Sequence, residues 1–188
     1  MINELDDRMS TVKRWGILRT IRTQSVAEQC FNVQRICIRL APVLGIFDED
    51  IFLLSQAALH HDDKEAIIGD IPSTAKRYLR IQEIHLDVMD QAWYDLAPDR
   101  IKMVVKLADM LEMYHFLTLE LHMGNAYVYD HRTRLINLIN DHIKEGGKKI
   151  GWPDELGTIC TGWMTGINEA QTSQTFERND DEQTAGSD

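Results

Sequence analysis

Hydrophobic positions in this 188-residue chain recur at helical spacing, and no stretch alternates in the manner of a half-buried strand. Val26, Phe31, Val33, Ile36, Cys37 and Leu40 follow that spacing between Ser25 and Pro42. Ser25 suits an N-cap, and Glu28 three residues later completes a capping-box pattern. A second helix is predicted from about Glu49 to Ala66, carrying Ile51, Leu54, Ala58 and Leu59 and ending before the Gly69-Asp70-Ile71-Pro72 turn. A third, more polar helix runs from near Ser73 to about Leu96. Pro98 then sits in the first turn of a long helix reaching about Met123, with Ile101, Val104, Val105, Leu107, Ala108, Leu111 and Leu117 as its buried stripe. Another helix covers about Asp130 to Lys144 and stops at Gly146-Gly147, and the last begins at Pro153 and fades near Ala170. The predicted fold class is all-α, with one domain over residues 1–170 and a polar, acidic tail over 171–188 that reads as disordered.

Composition narrows the function. The formal net charge is −10, which disfavours a polymeric nucleic-acid partner, because binding a polyanion needs a basic face. No segment has the length and apolarity of a membrane span, and the start has no cationic region followed by an apolar one, so the expected location is the cytoplasm. The three cysteines form no CxxC pair; Cys30 and Cys37 lie seven apart on one helix face and read as buried thiols. Lys13, Arg14, Arg19 and Arg22 make a local basic patch, either a solvated loop or a cradle for a small phosphate ligand. Trp93, Trp152 and Trp163 point either to self-association or to core.

The chemistry-bearing segment is ALHHDDKEAIIGDIPSTAK. His61 and Asp62 place an imidazole beside a carboxylate near a helix end, Glu65 follows one turn later, and Asp70 comes from the next turn. Far downstream, Asp109 interrupts an apolar helix stripe, a costly position unless the carboxylate is paired or bound to a cation. Each feature alone has an ordinary explanation: an exposed helix end for His61-Asp62, solvated charges beside Lys64, and for Asp109 an ion pair with Arg100, Lys106 or an early arginine.

Together these segments resemble the HD-domain superfamily, and within it the YfbR-like 5′-deoxynucleotidases and related phage dATP triphosphohydrolases. Three stretches carry the resemblance: RWGILRTIRTQSVAEQC, ALHHDDKEAIIGDIPSTAK and VVKLADMLEMYHFL. It implies an HD-domain bundle of about six or seven helices and one divalent metal (Co, Mn, Mg or Zn). His61, Asp62 and Asp109 match the metal ligands, and Glu65 and Asp70 match the carboxylates that orient the attacking water. Arg14 matches the arginine facing the substrate phosphate, Trp15 the aromatic bordering sugar or base, and Lys76 a further phosphate contact. His60, turned about 100° from His61 on an ideal helix, is expected in packing. The implied substrate is a small deoxynucleotide: a deoxynucleoside 5′-monophosphate, or alternatively dATP cleaved to deoxyadenosine and triphosphate. A homo-oligomer is expected.

One residue departs from the pattern. Gln29 stands where the family has a histidine ligand. An amide oxygen is a harder, weaker donor than an imidazole nitrogen. Three readings follow: a site retuned toward Mg²⁺ or Mn²⁺, a catalytically impaired nucleotide-binding module, or an engineered inactivation.

Overall fold

The computed structural model describes residues 4–71 and 92–166. Among these the regular elements are all helical, and the sole β feature is an isolated antiparallel bridge between Lys13 and Ser25. The elements are α1 (Glu4–Thr11), α2 (Val26–Leu40), α3 (Glu49–Leu59), α4 (Glu65–Ile68), α5 (Ala92–Asp95), α6 (Asp99–His122), a 3₁₀ turn (Ala126–Val128) and α7 (Tyr129–Ile150). These belong to a compact unit spanning Met1–Pro153, and a second unit begins at Asp154. In that second unit residues 156–166 are helical, with apolar Leu156, Cys160 and Met164 recurring every four residues. No helix of the described residues is long and apolar enough to cross a membrane. Lys76, most of the predicted third helix and the predicted acidic tail lie outside the described residues.

α6 is the central member of the first unit. It packs against α2, α3 and α7, and 14 of its 24 residues are buried, so its apolar content exceeds a single stripe. Arg132 of α7 ties the two helices together, donating from Nε to Thr118 Oγ1 at 2.9 Å and from Nη2 to the Tyr114 hydroxyl at 2.5 Å. Arg100 pairs with Asp50 rather than Asp109.

Four sequence expectations are corrected. The helix predicted to Ala66 breaks at residues 60–64: α3 ends at Leu59, and α4 starts afresh at Glu65. His61 Nδ1 donates back to the Ala58 carbonyl at 2.8 Å, and the Glu65 N–H closes a turn on the Asp62 carbonyl at 2.8 Å. These bonds satisfy the helix end and open a new one. Second, only half of the capping box forms: the Glu28 N–H donates to Ser25 Oγ at 3.1 Å, while the Glu28 carboxylate pairs with Arg22. Third, α1 is a helix that the pattern reading leaves unassigned.

The fourth correction concerns Gly146-Gly147, which do not stop α7. The helix runs through them to Ile150 and ends on Gly151 in the left-handed region, φ 69°. Gly146 is small because the buried Trp152 ring folds back against it; a Cβ there would overlap the ring. Gly147 has only the Trp152 carbonyl near that position, at 3.9 Å. Trp152 is therefore core, whereas Trp93 is 39% exposed and meets Phe52 edge-on.

The segment between α1 and α2 is a loop fastened at both ends and in the middle. The Lys13–Ser25 bridge closes it, with the Arg14 N–H donating to the Gln24 carbonyl at 2.9 Å and the Val26 N–H to the Val12 carbonyl at 3.0 Å. Its far side is held by buried Glu120 of α6, whose carboxylate accepts the Ile21 and Arg22 N–H groups at 2.7 and 2.8 Å and Asn125 Nδ2 at 2.7 Å. Asn125 also donates to the Arg19 carbonyl at 2.8 Å. Burial alone would raise the Glu120 carboxyl, but these bonds and Arg22 hold it below its ordinary value.

Two outcomes are expected in denaturation experiments. Gly146→Ala should destabilise by about 1–3 kcal/mol through overpacking, whereas Gly147→Ala should be neutral or stabilise by about 0.5–1 kcal/mol; equal losses at both sites would contradict the assigned role of Trp152. Because the folded Glu120 carboxyl is depressed, its contribution is present above its unfolded pKa and fades as pH falls toward the folded value. Glu120→Gln should therefore cost about 2 kcal/mol near neutrality, with the gap to the native protein closing in acid. A gap that stays constant across that range would exclude a charge-dependent clamp.

Candidate active site

The turn after α3, the middle of α6, the first turns of α2 and the closed loop bring their polar side chains to one region. Asp109 lies on the buried side of α6, Gln29 on the facing side of α2, and His61-Asp62 in the turn. Gln29 Nε2 donates to Asp109 Oδ1 at 2.8 Å and lies 3.2 Å from His61 Nε2. Asp62 Oδ2 is 3.3 Å from the same His61 nitrogen. His61 Nδ1 faces a carbonyl, which can only accept, so Nδ1 carries a proton, and the other ring nitrogen, Nε2, is turned toward Gln29 and Asp62.

Three of the proposed ligands thus converge, and their donor types, one imidazole nitrogen and two carboxylates, fit a divalent cation. Among the described residues no three His, Cys, Asp or Glu side chains stand in metal-holding geometry, and the Gln29 amide lies between His61 and Asp109.

Charge compensation around Asp109 is extensive. Lys106 Nζ donates to its Oδ2 at 2.8 Å, and Arg14 Nη2 is 4.0 Å from its Oδ1. Burial would raise this carboxyl, yet Lys106 first and Arg14 second hold it far below its ordinary range. Asp109 in turn raises Lys106. Lys106 and Arg14 are two of the three partners that sequence considered for Asp109.

Arg14 has a different character. Its side chain is 11% exposed, and among the described residues its buried Nε and Nη1 have no hydrogen-bond partner. Nη1 is 3.7 Å from Glu112 Oε2. Burial opposes its charge, but Asp109, Asp62, Glu112 and Asp70 outweigh that and raise its pKa. A buried guanidinium with donors unfilled is poised for an anion.

Trp15 adopts φ 67°, uncommon for a bulky residue. Its N–H donates to Asp70 Oδ2 at 2.8 Å, its Nε1 donates to Gln24 Oε1 at 3.1 Å, and its ring stacks on Phe116 with centroids 5.1 Å apart. Asp70 therefore fastens the turn after α4 to the closed loop, a positioning task the sequence reading did not give it. Glu65 is buried at the start of α4, next to Asp62 across the closing turn. His60 pairs with Asp63, Nδ1 to Oδ2 2.8 Å, in line with the expected packing role.

Sequence reasoning missed Glu112, which is 1% exposed and accepts from Gln24 Nε2 at 2.5 Å and Asn32 Nδ2 at 3.3 Å. Burial raises its carboxyl, and Arg14, Gln24 and Asn32 offset part of the rise. The signal was available: Glu112 interrupts the same apolar stripe as Asp109, one turn later. Gln24 carried no comparable mark.

Residues 4–92 match the family model described as 5′-deoxynucleotidase YfbR-like. The dATP triphosphohydrolase of Acinetobacter phage SH-Ab 15497 is 31% identical over 158 residues, covering 73% of this chain and 75% of its own length. The 5′-deoxynucleotidase YfbR of Salmonella arizonae is 28% identical over 159 residues, covering 68% and 76%. Among solved structures, the Cyanophage S-2L HD phosphohydrolase DatZ, bound to dA and one catalytic Zn²⁺ ion, superposes with a TM-score of 0.74 at 22% identity, covering 88% of this chain and 97% of that one. The PH0347 protein of Pyrococcus horikoshii gives 0.60 at 23% identity, covering 80% and 98%. The phage relative and the family-model match agree that the chain belongs to the YfbR-like 5′-deoxynucleotidase family, and its all-helical fold is that of the HD-domain phosphohydrolases.

Proposed function

We propose that this protein is a metal-dependent phosphohydrolase of small deoxynucleotides, releasing phosphate from a deoxynucleoside 5′-monophosphate. The observation that carries the reading is Arg14: a buried guanidinium with unfilled donors, beside the converging His61, Asp62 and Asp109. His61, Asp62 and Asp109 would hold the divalent cation, with Gln29 as the fourth side chain. When bound, that cation polarises a phosphate oxygen and acidifies water.

The remaining steps belong to the chain. Arg14, with Lys76, offsets charge on the phosphoryl oxygens as the transition state forms. Glu65 and Asp70 orient the attacking water, and a carboxylate takes its proton as the new P–O bond forms; the P–O5′ bond breaks and O5′ receives a proton in turn, so that the deoxynucleoside leaves as an alcohol and phosphate is released. Asp70 does this while holding the Trp15 backbone. Trp15, stacked on Phe116, borders the nucleoside. Gln29, an amide where the family has imidazole, favours Mg²⁺ or Mn²⁺ over softer cations.

A second reading is supported by the phage relative, named for dATP triphosphohydrolysis. The same groups serve either substrate, depending on which phosphorus meets the water. The assembly is proposed as a homo-oligomer in the cytoplasm.

Two measurements test the reading. Chromatography of products from dAMP and dATP, with Mn²⁺ or Mg²⁺ present, should give deoxyadenosine with phosphate from dAMP; deoxyadenosine with triphosphate from dATP would select the second reading, and nucleotide binding without product would replace both by a binding module. Arg14→Ala should lower kcat/KM by about 100-fold or more, equivalent to about 3 kcal/mol of transition-state stabilisation, and Arg14→Lys should recover little because a lysine lacks the planar fork. Full activity in Arg14→Ala would remove Arg14 from the phosphate site.

A further inference from the structure

Gln29 does something in this chain that a histidine at the same position could not. It is fully buried, so its amide groups have no bulk water to turn to. Its NH₂ group points two N–H bonds at two acceptors, Asp109 Oδ1 at 2.8 Å and the His61 Nε2 lone pair at 3.2 Å. A neutral imidazole has a single N–H and could satisfy only one of them. The amide oxygen is lightly held by comparison, its contact being the Cys30 thiol, Sγ to Oε1 3.9 Å, a weak donor. The remaining charge of Asp109 is met by Lys106 and Arg14.

We propose that the Gln29 carboxamide is an internal stand-in for the cation: it crosslinks His61 and Asp109 in the metal-free protein and must turn over, presenting Oε1, before a metal can be held. Metal binding in this chain is then a competition between a cation and the protein's own amide. The metal-free centre is closed by that crosslink, and the site fills only where free metal is abundant. The proposal rests on the metal-dependent reading above and adds to it a regulation of the same site by metal supply.

The test compares the full-length native protein with Gln29→His and Gln29→Met. Melting is followed in EDTA and in Mn²⁺, and Mn²⁺ affinity is measured by calorimetry. In EDTA the native protein should melt several degrees above Gln29→Met, because the variant loses the amide that bridges Asp109 Oδ1 and His61 Nε2. Mn²⁺ should bind Gln29→His more tightly than the native protein by on the order of tenfold, and should raise the melting temperature of Gln29→His more. Equal Mn²⁺ affinity in the two proteins overturns the competition while leaving the metal reading intact. No Mn²⁺ binding by either overturns the metal reading and the proposal with it. Should Gln29→Met fail to fold, NMR of the native protein decides: the Gln29 side-chain NH₂ is expected to be protected from solvent exchange in EDTA and to shift on adding Mg²⁺. Rapid exchange in EDTA would overturn the crosslink.

Discussion

A single carboxylate buried in the middle of α6 governs this region. Asp109 cannot sit among Leu107, Ala108, Met110 and Leu111 without compensation, and the chain supplies it from three separate elements: Lys106 one turn earlier on α6, Arg14 from the closed loop, and the Gln29 amide from α2. Two of these groups also arrange something else. Gln29 reaches His61, Arg14 reaches Glu112, and Glu112 gathers Gln24 and Asn32. Isolated buried charges are expensive, so this linked arrangement specifies how α2, α6 and the loop meet.

Much of this was legible in the residue pattern. The helices centred on α2, α6 and α7 follow from apolar spacing, and the HHDD segment and the distal Asp109 marked the site. What the pattern could not give was geometry that depends on partners distant in sequence. The break after Leu59 arises because the His61 ring caps the helix it would otherwise extend. Gly146 reads locally as a terminator, and only the return of Trp152 onto α7 reveals it as a packing residue. Glu112 and Glu120 look like ordinary charges on a long helix until the loop that they hold is folded over them.

The two acidic residues of the loop's surroundings divide the work between ends. Glu120 fixes the backbone at Ile21 and Arg22, and Asp70 fixes it at Trp15. The second contact couples the turn after α4 to the loop, so the segment that presents Glu65 and the segment that presents Arg14 cannot shift independently. A bulky residue in the left-handed region is tolerated because its N–H, its indole and its ring face are each engaged.

The Lys13–Ser25 bridge gives the loop an evolutionary property. With its stem paired there, and with Ile17 and Ile21 of its outer stretch 75% and 59% exposed, residues between the fastened points can vary in identity without altering the distance from Arg14 to Asp109. Added length there raises the entropy of closure only slowly. The identity of the exposed rim and the placement of the charged groups are thus separable within one short segment, and sequence at the rim can drift while the charged centre stays in register.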